Sequence, residues 1–124
     1  MGRKVCLDTD VIIDYLGHRD KANIERFFQG ESPTACISSI TAFELRLRET
    51  NQEEIEQFIR NMEIIPFDND SAKIASLIWK NIEKAGTPVS LQDTFIASIC
   101  ISSHLLLLTN NKSDFTKIKG LELA

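Results

Sequence analysis

The chain has 124 residues, 43% of them hydrophobic and 26% charged, the balance expected of one folded domain covering residues 1–124. No run reaches the roughly 20 apolar residues of a membrane helix, and Met1-Gly2-Arg3-Lys4 leads into a short strand-like segment and not a signal-peptide core. The formal charge of −4 argues at first against a nucleic-acid partner, but four acids withdrawn onto cations would leave the remainder neutral.

Cys6, Cys36 and Cys100 are odd in number and sit apart in apolar runs, so they read as buried thiols of a reducing compartment, and the expected location is the cytoplasm. The only histidines are His18 and His104, and no CxxC pair exists. A zinc site is not expected.

In chain order, Lys4 to Leu7 reads as a short buried strand, followed by helices over Val11 to Leu16 and Lys21 to Gln29 and by a turn marked by Gly30 and Pro33. Thr34 to Ile37 is a second strand candidate. Thr41 to Glu49 and Glu53 to Met62 form a helical pair, the latter with Ile55, Phe58 and Ile59 on one face. Ile64-Ile65 is a brief third strand, and Ser71 to Ala85 is a helix carrying Ile74, Leu77, Ile78 and Ile82 at helical spacing and stopped by Gly86. After Thr87-Pro88, Ser90 to Ser103 is a strongly apolar, central helix. Leu105 to Leu108 is an apolar strand ending in a polar turn, Thr109 to Asp114, and a last strand runs through Leu121 to Leu123. Phe27, Phe28, Phe58 and Trp79 have aliphatic neighbours at helical spacing, which favours core or dimer packing over base stacking.

Strands alternating with helices imply right-handed crossovers, a mostly parallel sheet and helices on both faces. Ligands of such sheets bind at the carboxyl ends of the strands. Asp8 follows the first strand, Glu44 lies a helical turn past the second, Asp93 opens the apolar helix, and Asp114 sits in the loop after Leu105 to Leu108, so all four can project toward that edge. Each also has a plain explanation. Asp8 can N-cap the first helix, Thr41-x-x-Glu44 and Ser90-x-x-Asp93 resemble capping boxes, and Asp114 can close a turn.

If the acids converge, two carboxylates about 4 Å apart repel by roughly 4 kcal/mol at an effective dielectric near 20, against about 1 kcal/mol for a cap. Convergence would therefore demand a cation. Oxygen-only ligands select hard Mg²⁺ or Mn²⁺, which can activate water, neutralise a phosphate and stabilise a leaving oxygen.

Four blocks carry a family resemblance: Val5-Cys6-Leu7-Asp8-Thr9-Asp10-Val11-Ile12-Ile13, Ser38-Ser39-Ile40-Thr41-Ala42-Phe43-Glu44-Leu45, Leu91-Gln92-Asp93-Thr94-Phe95-Ile96-Ala97 and Leu108-Thr109-Asn110-Asn111-Lys112-Ser113-Asp114-Phe115. In this order, across nearly the whole chain, they resemble the motifs of PIN-domain ribonucleases, especially VapC-type toxins of toxin-antitoxin pairs. The resemblance implies a three-layer α/β/α fold and a metal-dependent ribonuclease. Asp8, Glu44, Asp93 and Asp114 would hold Mg²⁺ or Mn²⁺, with Asp114 acting partly through water. Thr9 and Thr109 would orient the cluster, and Asn111 would brace the loop carrying the last acid. It further implies a homodimer inhibited by a small VapB-like antitoxin.

Two positions depart from the pattern. Asn110 stands where such toxins often carry a basic residue, a role Lys112 could take, and Lys112, Lys117 and Lys119 make a basic segment for RNA backbone contact. Asp10 stands where Asn or Ser is frequent, and it reads as a cap of the first helix in preference to a metal ligand. Two other functions fit parts of the sequence. Asp8-Thr9-Asp10 mimics the nucleophile motif of haloacid-dehalogenase-like phosphatases, with Asp8 attacking phosphorus, although no later acidic pair follows a strand as that family requires. The other is a catalytically inactive RNA-binding module.

Overall fold

The computed structural model of the chain describes residues 3–19, 22–28 and 34–124. Its elements are β1 (Val5–Leu7), α1 (Thr9–Leu16), α2 (Ala22–Glu25) with a 3-10 turn (Arg26–Phe28), β2 (Ala35–Ser38), α3 (Ser39–Arg46), α4 (Gln52–Arg60), β3 (Glu63–Ile65), α5 (Asn69–Ala85), α6 (Leu91–Ser102), β4 (Leu106–Leu108), α7 (Lys112–Phe115) and β5 (Glu122–Leu123). The strands form one sheet in the order β3-β2-β1-β4-β5, and every pairing is parallel.

Period-two alternation divides the strand side chains between two cores. Val5, Leu7, Ile37 and Leu108 face a cluster with Val11, Ile12, Leu45, Ile55 and Ile59 from α1, α3 and α4. Cys6, Cys36 and Leu107 face the opposite cluster with Ile78, Ile82, Ile96, Cys100 and Phe115 from α5, α6 and α7. This is the three-layer α/β/α arrangement. The handedness of crossovers accounts for it: connections stepping from β1 to β2 to β3 cover one face, while the return across β1 to β4, and on to β5, must cover the other. Because the chain leaves β1 in one direction and re-enters beside it from the other, the switch point lies at the carboxyl ends of β1 and β4.

Caps fix where the helices begin. Ser38 Oγ accepts from Thr41 N at 3.0 Å and starts α3; Asp68 caps α5 through Ser71 N at 2.9 Å. Gly86 ends α5 at φ +65, a left-handed conformation that costs a side-chain-bearing residue about 1–2 kcal/mol. In α4, Ile55 and Ile59 are buried one turn apart, each worth roughly 1.5–3 kcal/mol of transfer free energy.

Several expectations need correction. The Thr109 to Asp114 segment is not all turn, because α7 forms from Lys112 and buries Phe115. The capping box at Thr41-x-x-Glu44 does not form, since Ser38 caps that helix and Thr41 lies inside it. Asp8, not Asp10, is the N-cap of α1. Leu77 is 58% exposed although it shares the helical spacing of the buried Ile78 and Ile82. Among the aromatics, Phe27 is buried and Phe58 packs against the first core beside Tyr15, whereas Trp79 is half-buried. Lys21, Gln29, Gly30 and Pro33 lie outside the described residues, as does the side chain of Phe28.

Cys6, Cys36 and Cys100 are fully buried free thiols. Cys6 touches both others across β1, β2 and α6; the Cys100 contact and burial push the Cys6 thiol far up against the pull of Cys36, and the Cys6 contact and burial push Cys36 up, so both stay protonated. Among the described residues no helix is long and apolar enough to cross a membrane.

Candidate active site

Asp8 stands at the switch point. Its backbone N–H continues the β1–β4 ladder to Leu108 O at 2.9 Å, which drives the side chain down between the two strand ends until only 5% of the residue is exposed. A buried carboxylate needs hydrogen-bond donors, and two are present. Thr9 N donates to Oδ1 at 2.8 Å and Thr109 Oγ1 to Oδ2 at 2.7 Å.

From Thr109 a hydrogen-bonded chain runs on to a second acid. Asn111 N donates to Thr109 Oγ1 at 3.0 Å, and Asn111 Nδ2 donates to Asp114 Oδ2 at 3.0 Å. Lys117, one helical turn beyond, places its Nζ 3.4 Å from Asp114 Oδ1. On the other side, Thr9 Oγ1 donates to Glu44 Oε1 at 2.7 Å and lies 3.1 Å from Thr41 Oγ1. Asp93 is half-buried at the start of α6, its backbone N–H held by Ser90 Oγ at 3.1 Å.

The electrostatics tie these acids together. Burial pushes Asp8 up to about 7, against the pull of the Thr109 and Thr9 hydrogen bonds, and the charges of Asp10 and Asp93 push the same way. Asp93 is raised by burial and then by Glu44, Asp114 and Asp10. Asp114 is lowered, first by the Asn111 amide and then by Lys117. Asp10 is raised by burial and makes a long contact, 3.5 Å, from Asn110 N to its Oδ1. Asp8, Glu44, Asp93 and Asp114 thus share one electrostatic neighbourhood at the carboxyl edge, with Asp93 coupled to all three others.

Lys112 is exposed on α7. Asn110 turns its amide to Asp14 at 3.1 Å, and Asp14 also pairs with Arg19 at 3.4 Å. Sequence reasoning missed this Asn110–Asp14–Arg19 link, which joins residues nearly a hundred positions apart. It also missed the Asp114–Lys117 pair, which the i,i+3 spacing would have signalled had the short helix been expected.

The Thr109 hydroxyl matters most when Asp8 is ionised. Thr109→Val keeps the shape but removes the donor to Asp8 and the acceptor of Asn111 N. A loss of about 1.5–3 kcal/mol is expected above pH 7, shrinking at lower pH as Asp8 protonates. Urea denaturation at both ends of that range checks it; equal loss at each would sever the link to Asp8.

Among the described residues no three Asp, Glu, His or Cys side chains form a finished metal cage. The donor set still fits a hard dication. It is all oxygen, its members repel one another, and Mg²⁺ commonly takes only one or two carboxylates with water and phosphate completing its shell.

The profile of the PIN domain family matches residues 5–121. The chain is 32% identical to the tRNA(fMet)-specific endonuclease VapC of Salmonella typhimurium over 97% of this chain and 96% of that one. Among solved structures, the DNA-bound VapBC of Salmonella typhimurium has a similar chain at TM-score 0.87 and 31% identity, covering 99% of this chain and 98% of that one. VapBC2 of Rickettsia felis bound to a promoter DNA fragment has another, at TM-score 0.84 and 25% identity, covering 97% and 96%. With fold, motif order and relatives agreeing over nearly its full length, the chain belongs to the PIN-domain family.

Proposed function

We propose that this protein is an endoribonuclease, the toxin of a VapBC-type pair, that hydrolyses RNA phosphodiester bonds using Mg²⁺ or Mn²⁺ held by Asp8, Glu44, Asp93 and Asp114. The observation that carries the reading is the buried Asp8 carboxylate, fixed by two donors at the switch point and electrostatically coupled to further acids. The ion, when bound, supplies charge neutralisation and an activated water.

The chain's own groups do the rest. Thr109 and Thr9 hold Asp8 and Glu44 with their oxygens directed by hydroxyl donors, so little reorganisation accompanies binding. Asn111 fixes the rotamer of Asp114, and Lys117 beside it offers positive charge to an incoming phosphate. Lys112, exposed on α7, would meet the RNA backbone.

A VapB-like antitoxin and a second copy of the chain are the expected partners, in the cytoplasm. The neighbouring structures named VapBC support the first. Phe43 on α3, Leu47 at its C-terminal cap and Leu77 on α5 are exposed and supply apolar surface for partners to cover. Family membership leaves no support for Asp8 as a phosphatase nucleophile, and the presence of all four acids weighs against an inactive RNA-binding module.

Incubating the purified protein with tRNA and with single-stranded RNA tests the reading, and tRNA(fMet) comes first because it appears in the names of the Salmonella and Shigella relatives. Cleavage is expected with Mg²⁺ or Mn²⁺, none with chelator, and a drop of about 10²–10³-fold in Asp93→Asn. No cleavage of any RNA, or an Asp93→Asn variant as fast as wild type, would overturn it.

A further inference from the structure

We propose that the cleft between the C-terminal half of α5 and residues 117–119 is a nucleotide subsite, seating one RNA base and its phosphate next to the acid cluster. The proposal deepens the ribonuclease reading and rests on it for the word RNA.

The cleft encloses about 330 Å³, at the small end of the roughly 300–1,000 Å³ typical of ligand pockets. That suits a single planar ring with its sugar. Its floor is apolar, formed by Ile78, Ile82 and Ile118, whose outer atoms surface from the second core. A base face can lie on such a floor without losing hydrogen bonds. Asn81 and Thr87 stand at the wall with an amide and a hydroxyl that can meet a base edge.

Lys117 and Lys119 line the same cleft, two cations where a phosphate would sit. Lys119 makes no hydrogen bond or ion pair with another of the described residues. Lys117 connects the cleft to the acids, because it both lines the cavity and reaches Asp114 Oδ1 at 3.4 Å. A strand whose scissile phosphate lies over the acids therefore has its neighbouring nucleotide beside this opening. Acids alone cannot bind RNA by charge; a paired cationic and apolar cleft at their border supplies the grip that they lack.

The test uses the full chain, isotopically labelled, titrated with nucleoside 5′-monophosphates, ribose 5-phosphate and inorganic phosphate in the absence of divalent metal. Nucleotides should shift the backbone amides of Asn81, Thr87 and Ile118 well beyond what the two base-free phosphates do. Ala85→Trp, a substitution at an exposed lining residue, should abolish those shifts while the remaining spectrum shows an intact fold. No shift, or equal shifts from inorganic phosphate, would overturn the subsite.

A second arm uses an RNA that the wild type cleaves, with abasic nucleotides placed one at a time around the cut. One abasic position should raise KM about tenfold, the equivalent of about 1.4 kcal/mol, and add nothing further in Ala85→Trp. Additive effects of the two changes would overturn the proposal. If the wild type cleaves no RNA, the ribonuclease reading fails while the titration still decides the subsite.

Discussion

Asp8→Asn is expected to cut RNA cleavage by about 10²–10³-fold, the range for losing one preorganised electrostatic group, while making the cation-free fold more stable above neutral pH. The two effects have opposite signs because the carboxylate that would serve the cation is a burden to the fold without it. Asp8 rises from its ordinary 3.8 to about 7 on folding, burial being the largest cause. Between pH about 4 and about 7 the folded protein keeps a proton on Asp8 that the unfolded chain has released. Stability must therefore fall as pH rises through that window and level off above it, by an amount on the order of 4 kcal/mol.

The amide in Asp8→Asn carries no charge to desolvate and forfeits at most a hydrogen bond or so, about 1 kcal/mol each, so relief of burial wins. Thermal melting across pH 5 to 8 in chelator should show a falling curve for wild type and a flatter one for the variant. Mg²⁺ or Mn²⁺ should then raise the wild-type melting temperature most at the alkaline end. A wild-type curve without slope, or equal stabilisation of both proteins by the cation, would refute this account of Asp8.

Phe115→Ala is expected to be the most destabilising single change in the neighbourhood of the site, by about 3–5 kcal/mol. Phe115 is 1% exposed, a member of the second core with Ile118, Cys100 and Leu107. Its ring is the buried anchor of α7, a helix of four residues that has no stability of its own. Against a total stability of about 5–15 kcal/mol, such a loss removes a large share of the margin and, at the low end of that range, unfolds much of the population. Because Asp114 precedes Phe115, the network from Asn111 to Asp114 and Lys117 should loosen first, seen as faster amide exchange in residues 111–118 than elsewhere. Urea denaturation gives the magnitude; a loss below about 1 kcal/mol would show that α7 is held by something other than its aromatic ring.

The element order was largely legible in the sequence because strands buried on both faces and amphipathic helices leave different periods. Val5-Cys6-Leu7 and Leu106-Leu107-Leu108 are continuous apolar runs, and the Ile55 and Ile59 spacing of α4 needs no partner to be recognised. The failures have a common cause. Alpha7 is too short to show a period, and Phe115 holds it by a tertiary contact. Leu77 fits the spacing of α5, but a helix presents only as much apolar face as its neighbour covers, and α6 covers Ile78 and Ile82. The capping of α3 was misassigned by three residues because Ser38, Ser39 and Thr41 are equally good caps in isolation, and only the end of β2 decides among them.

Asp8, Glu44, Asp93 and Asp114 were visible from the sequence as acids placed after strands or at helix starts, and their order over the chain carried the family resemblance. That resemblance depends on residue identity and spacing, which a linear string contains. What only the tertiary structure decided is how those acids sense one another. The burial that lifts Asp8 to about 7, the Asp8–Thr109–Asn111–Asp114 chain, the Thr9–Glu44 bond and the cleft reached through Lys117 all depend on contacts between separate elements, and the Asp8–Thr109 bond joins opposite ends of the chain. Hydrogen bonds and desolvation act over a few ångströms of space, and it is the pairing of β1 with β4 that turns separations of about a hundred residues into such distances.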